Sequence, residues 1–172
     1  VNPNEFFDST QNETKYGPVF LYLFVTLVIG SVIVLIAGLL GAQSGLSLIM
    51  GAIFSPVIVV VNLVVSFIVI PLGLLVQHLF VLMFGGRQGL LRTYQSFIYG
   101  GTPGLIFQGI PFLNFVAWIY SLVLSVFALT ELQKISTLRA VLSVLVPFII
   151  AAGIVAMALY YIASMFTSIS AI

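Results

Sequence analysis

Apolar residues run without a charged side chain from Tyr16 to Gly86, from Thr93 to Thr130 and from Ala140 to Ile172. Runs of this length predict helices embedded in a bilayer, where roughly 20 apolar residues at 1.5 Å each cross a hydrocarbon core of about 30 Å. A helix is the element that satisfies its own backbone there. The first predicted span covers about 18–41, and Gly41, Ser44 and Gly45 predict a tight turn that returns the chain at once, antiparallel. Leu46 to Phe84 as one helix would be about 58 Å long, nearly twice the core. Ser55-Pro56 therefore reads as an N-cap followed by proline at the first helical position. It opens a second span over about 56–84, preceded by a short interfacial piece. Pro71 predicts a kink near the middle of that span.

Beyond Gly85-Gly86 the pattern turns polar, with Arg87, Gln88, Arg92, Tyr94 and Gln95, and Tyr99-Gly100-Gly101-Thr102-Pro103-Gly104 interrupts the next apolar stretch. The third span, about 93–109, is expected to be short and broken. Pro111 opens a fourth over about 111–130, with Trp118 and Tyr120 as amphipathic members. Ser136 or Thr137 caps a fifth over about 138–166, with a kink expected at Pro147. The fold class is all-α: a polytopic integral membrane bundle of five helices, the second and fifth kinked and the third broken. A short cytoplasmic segment, 1–15, precedes the membrane domain, 16–172.

Composition agrees with the pattern. Of 172 residues, 62% are hydrophobic and nine are charged, far below the roughly 25% charged residues of a soluble domain. With five spans, Lys15, Arg87, Arg92, Lys134 and Arg139 all fall on one side. Cytoplasmic loops retain Lys and Arg, so the amino terminus is expected in the cytoplasm and the carboxyl terminus opposite. Dividing Leu46 to Phe84 into two spans would separate Arg87 and Arg92 from Lys15, which argues against six. A net charge of +1 with no basic cluster gives no nucleic-acid surface. The absence of cysteine removes disulfides and thiolate chemistry. Glu5, Asp8 and Glu13 precede the first apolar run where a secretory signal would be basic, so that run is expected to stay in the mature protein. Asn12-Glu13-Thr14 matches a glycosylation acceptor, but on the cytoplasmic side it is a chance match.

Polar groups inside hydrocarbon are expensive and mark function. The spans contain one histidine, His78, beside Gln77, and no carboxylate. With no Cys, Asp or Glu nearby, His78 reads as a neutral hydrogen-bonded core residue rather than a metal ligand or proton relay. Glu131 and Lys134, three apart, form a helix-end pair, and Arg139 is placed to meet anionic lipid heads. Asn62, Gln108 and Asn114 can bond between helices, while Gly41-x-x-x-Gly45 and Ser121-x-x-x-Ser125 have the spacing of close helix packing, read as intramolecular. Neither Gly85-Gly86-Arg87-Gln88-Gly89 nor Gly100-Gly101-Thr102-Pro103-Gly104 carries a P-loop ending. No catalytic, cofactor or metal site is expected.

Two motifs do carry a resemblance: Tyr16-Gly17-Pro18 entering the first span and Tyr99-Gly100-x-x-Pro103 at the third. In order and placement they resemble the signatures of the Yip family, the Ypt/Rab-interacting membrane proteins with a Yip-one domain. The family's fuller first motif has Asp-Leu before Tyr-Gly-Pro, where this chain has Thr14-Lys15. The resemblance implies five membrane helices, a cytosolic amino terminus and a role in membrane trafficking or organisation. Eukaryotic members carry a long cytosolic region before the first span and bind Rab GTPases and one another. With about fifteen residues there, this chain looks more like prokaryotic relatives built of the membrane domain alone, and a Rab-type GTPase is not an expected partner. The cell membrane is the expected location in a prokaryote, the endoplasmic reticulum or Golgi in a eukaryote.

The function expected from these residues is a non-enzymatic scaffold or adaptor in the lipid bilayer. Its basic face, Arg87, Arg92, Tyr94, Lys134 and Arg139, would meet membrane-protein partners, another copy or anionic lipid head groups. The alternative is a small-solute or lipid transporter built around the broken third span.

Overall fold

A computed structural model describes Phe7, Thr10 and residues 13–41 and 56–169. Among these residues six helices follow one another: α1 Tyr16–Gly41, α2 Pro56–Met83, α3 Leu90–Gly100, α4 Thr102–Ile106, α5 Pro111–Gln133 and α6 Thr137–Ile169. Four of them, α1, α2, α5 and α6, are long and apolar enough to cross a membrane. The expected turn at Ser44 and Gly45, the interfacial piece before Pro56, the Ser55 cap, the Gly41-x-x-x-Gly45 spacing and the Asn12 acceptor lie outside the described residues.

The third apolar stretch is broken as its sequence suggests, but it begins earlier, at Leu90, and takes the form of two short helices. The interruption falls at Gly101, where a Cβ would lie 2.5 Å from the Phe97 carbonyl oxygen. Pro103 follows and has no N–H to give the carbonyl one turn back. Helices α1, α5 and α6 overrun the predicted bounds by one to three residues at an end, α2 stops one residue before its predicted end, and both Pro71 and Pro147 lie inside continuous helices.

Between α2 and α3 the chain reverses through a glycine cap. Gly85, at φ 97°, donates to the Leu82 carbonyl at 3.0 Å, and Gly86 donates to Val81 at 2.9 Å. These are the two bonds of a Schellman ending, which needs a left-handed residue that glycine adopts without strain.

Side-chain register fixes the course of each helix. Phe24 of α1 meets Phe67 of α2 with ring centroids 5.7 Å apart, and Phe20 meets Tyr94, whose hydroxyl bonds the Pro71 carbonyl at 3.0 Å. The two helices are therefore antiparallel. Along the α3–α4 segment the order runs parallel to α1. Tyr16 packs on Tyr94, Tyr22 on Tyr99, Gly30 on the Leu105 carbonyl, and Val34 beside Gly109. From Tyr16 to Val34 the rise along α1 is about 27 Å at 1.5 Å per residue. Helix α5 then runs back along α3–α4, and α6 packs on α2 and α5.

Burial is concentrated where the helices converge on α3. One cluster joins Phe7, Val19, Leu23, Leu27, Tyr94, Ile98, Tyr99, Ala128 and Leu132; a second joins Val81, Leu129, Ile135, Ala140 and Val144. Large apolar side chains cover the outside of α1, α2, α5 and α6, as expected where the surrounding solvent is hydrocarbon rather than water.

Candidate functional site

Helix α3 is the polar element of an otherwise apolar bundle. Arg92, Gln95 and Tyr99 are spaced to share one face, and that face receives the residues preceding α1. The Tyr99 hydroxyl donates to a Glu13 carboxylate oxygen at 2.7 Å, and Gln95 Nε2 lies 3.3 Å from the same oxygen. Arg92 Nη1 donates to Gln95 Oε1 at 2.8 Å and to the Thr10 carbonyl at 3.2 Å. Gln95 is fully buried and Tyr99 almost so. The carboxylate that the spans lack is thus brought to the bundle from outside them.

A neighbouring face of α3 carries a second network. Thr93 Oγ1 lies 2.7 Å from His78 Nδ1 and accepts from Gln133 Nε2 at 2.9 Å. Gln133 also donates to the Gly89 carbonyl at 3.0 Å, while its Oε1 accepts from the Gln88 amide at 3.0 Å. One buried glutamine at the end of α5 therefore fixes the turn that leads into α3. Nearby, Gln77 Nε2 donates to the Ser143 carbonyl at 2.6 Å and ties α2 to α6. His78 is the hydrogen-bonded residue that its surroundings in the sequence suggest. No group of three or more His, Cys, Asp or Glu that could hold a metal occurs among the described residues.

The small residues of the interrupted segment are close-packing sites. A Cβ on Gly100 would fall 2.7 Å from Ser125 Oγ, and the Gly104 amide donates to Ser121 Oγ at 2.9 Å. Gly100 and Gly104 thus match Ser121 and Ser125 on the facing helix, so the Ser121-x-x-x-Ser125 spacing serves intramolecular packing. The break also keeps its backbone partners: Gly101 N–H bonds Phe97 O at 2.8 Å and Leu105 N–H bonds Gly101 O at 3.1 Å. Asn114 differs, because its buried Oδ1 has no hydrogen-bond partner.

The first motif packs against the start of α3, and the second lies deeper along α1, level with Tyr22 and beyond. Tyr16 stacks with Phe20 and meets Tyr94 edge-on, Gly17 and Pro18 form the exposed first turn of α1, and Tyr99 holds Glu13 just upstream. Gly100 packs on α5, and the Pro103 carbonyl accepts from Phe107 at 3.1 Å.

Of the residues expected on an outward basic face, Arg87, Lys134 and Arg139 are exposed. Arg92 is half-buried and engaged with Gln95 and Thr10. Tyr94 is 5% exposed, with its hydroxyl on Pro71; an aromatic ring this deep packs the core rather than meeting an outside partner. Lys134, in the left-handed conformation that ends α5, pairs with Glu131 at 3.8 Å. The turn bearing Arg87 and the turn bearing Lys134 lie side by side, joined through Gln133, and Arg139 Nη1 is 3.3 Å from the position a Cβ would take on Gly85. Sequence reasoning passed over Thr93, Gln95, Gln133 and Glu13 as site residues. The spacing of Arg92, Gln95 and Tyr99 was the available signal for one shared face.

Compared with known proteins, residues 1–166 match a family model described as the Yip1 domain. No curated protein and no solved structure matches the chain.

Proposed function

That the chain belongs to the Yip1 domain family is the premise from which we propose a non-enzymatic membrane scaffold whose basic end holds anionic lipid head groups. One observation carries this reading. The turns around Arg87 and Lys134 are locked together through Gln133, with Arg139 alongside, so three exposed cations share one platform. A fixed platform loses less side-chain freedom on binding than separate flexible loops. Each cation near an anionic surface contributes about 1 kcal/mol. The Lys134 contribution is reduced by its exposed pairing with Glu131, which leaves Arg87 and Arg139 as the stronger contacts.

The platform is cytoplasmic in this reading, since Lys15 and Arg92 belong to the same end and basic residues stay inside. The α3–α4 segment, in step with α1 for about 27 Å, is then a third crossing made of two short pieces. Five crossings put the amino terminus in the cytoplasm and the carboxyl terminus opposite. A role in membrane organisation or trafficking follows from family membership together with this lipid-facing end.

Crosslinking in native membranes tests the proposal. A photoactivatable anionic phospholipid should label the wild-type chain, and Arg87→Gln/Lys134→Gln/Arg139→Gln should lose most of that labelling while keeping its thermal stability. Equal labelling of a stable triple variant, or capture of a protein at these residues in place of lipid, overturns it.

A further inference from the structure

The two helices with an internal proline differ in what surrounds it. On α2, Phe67, Ile70 and Leu74 pack against the first core cluster on both sides of Pro71. On α6, Ala140, Ser143 and Val144 are buried before Pro147, whereas every residue from Phe148 to Ile162 is exposed. That exposure runs through about four helical turns, so no side of this half of α6 rests on the bundle. A Cβ on Gly153 would accordingly meet nothing within 4 Å.

Pro147 also leaves a backbone group without its helical partner. The Ser143 carbonyl would accept from the amide four residues on, and that residue is the proline, which has none. Gln77 of α2 takes the vacant place, its Nε2 donating to the Ser143 carbonyl at 2.6 Å. The near half of α6 is thereby held to α2, while the turn at Pro147 lacks one of the bonds that stiffen a helix.

We infer that α6 is hinged at Pro147, with Gln77 on its fixed side, and that the half beyond it leans to fit the thickness of the surrounding bilayer. Both ends carry interfacial anchors: Arg139 at the basic end, and the exposed Tyr160 and Tyr161 near the other, where amphipathic rings settle at head-group level. From Arg139 to Tyr160 the helix rises about 32 Å, of which about 12 Å precedes the hinge. A core of about 33 Å takes that length upright, whereas one of about 27 Å leaves about 15 Å for an arm of about 20 Å. The arm must then lean by roughly 40°, which carries its tip sideways by about 10 Å.

The cysteine-free chain takes spin labels at chosen sites. Full-length protein is reconstituted in phosphatidylcholine of short or long acyl chains, and pulsed electron resonance reads the distance between Val116→Cys on α5 and Leu159→Cys on the arm. That distance should differ by about 10 Å between the two bilayers, while a Val116→Cys/Leu142→Cys pair, short of the hinge, should keep its distance. Pro147→Ala returns a helical donor to the Ser143 carbonyl and should remove most of the shift. Gln77→Leu should broaden the Leu159 distances in the proline chain and leave them unchanged in Pro147→Ala, where the carbonyl has its own partner. Equal Val116–Leu159 distances in both bilayers, equal shifts for both pairs, or a full shift in Pro147→Ala overturns the hinge. Equal broadening by Gln77→Leu in both backgrounds overturns the part given to Gln77.

Discussion

Gly100 and Ser125 stand so close that a Cβ on the glycine would lie 2.8 Å from the serine amide nitrogen and 2.9 Å from its Cα. The obstacle is backbone, which cannot turn aside as a side chain tip does. The Tyr99-Gly100-x-x-Pro103 motif therefore sets how tightly the broken segment docks on α5. Gly100→Ala should destabilise the protein by about 1–3 kcal/mol, the usual cost of overpacking a filled core, despite the better helix propensity of alanine. Gly17→Ala, with open space around it, should leave stability nearly unchanged. Thermal unfolding in detergent compares the two.

Gln133 bridges Thr93, Gly89 and Gln88 while fully buried. Gln133→Leu removes the partner of several groups at once, and each buried group left unpaired costs about 1–3 kcal/mol. A double-mutant cycle with Thr93→Val should show coupling, because the valine removes one of the groups that Gln133 satisfies. Additive losses in thermal unfolding would separate the two residues.

Tyr99 and Gln95 hold Glu13, and with it the residues just before α1, against α3. Tyr99→Phe deletes the 2.7 Å bond to the carboxylate but keeps the ring packed on Tyr22. A hydrogen bond to a charged group is worth about 1.5–3 kcal/mol. The expected outcome is local: faster amide exchange at residues 13–15, with the exchange of α5 unaltered. Equal acceleration in α5 would make the bond part of global stability instead.

Much of this architecture was legible in the sequence, because long uncharged runs admit few solutions in a bilayer. Pro56, Pro111 and the Gly85-Gly86 turn fall at helix ends for local backbone reasons that one residue type announces. The interior polar networks were less legible. Gln95 and Gln133 look alike in sequence to the lipid-exposed Asn62, and only the packing of α3 between α1, α2 and α5 decides which carboxamides are satisfied. Tyr94 and Arg92 were hidden for the same reason: a residue next to a basic turn reads as outward until the helix phase is known. Glu13 escaped notice because it precedes the spans and reaches the interior through tertiary contact.

The parallel register of α1 with the α3–α4 segment leads to a topological expectation. If Tyr94 and Gly109 lie at the levels of Tyr16 and Val34, residues on either side of the segment face opposite compartments, although neither short helix spans the bilayer by itself. Single cysteines in this cysteine-free chain make the point measurable. Gln88→Cys and Ser136→Cys should react with an impermeant maleimide from one side of sealed, oriented vesicles, because their turns are held together by Gln133. Ile110→Cys should react only from the other side. Labelling of all three from the same side would overturn the crossing of the α3–α4 segment, and with it that of α5, a helix of 23 residues and about 35 Å that is long enough to separate Ile110 from Ser136 by the whole core.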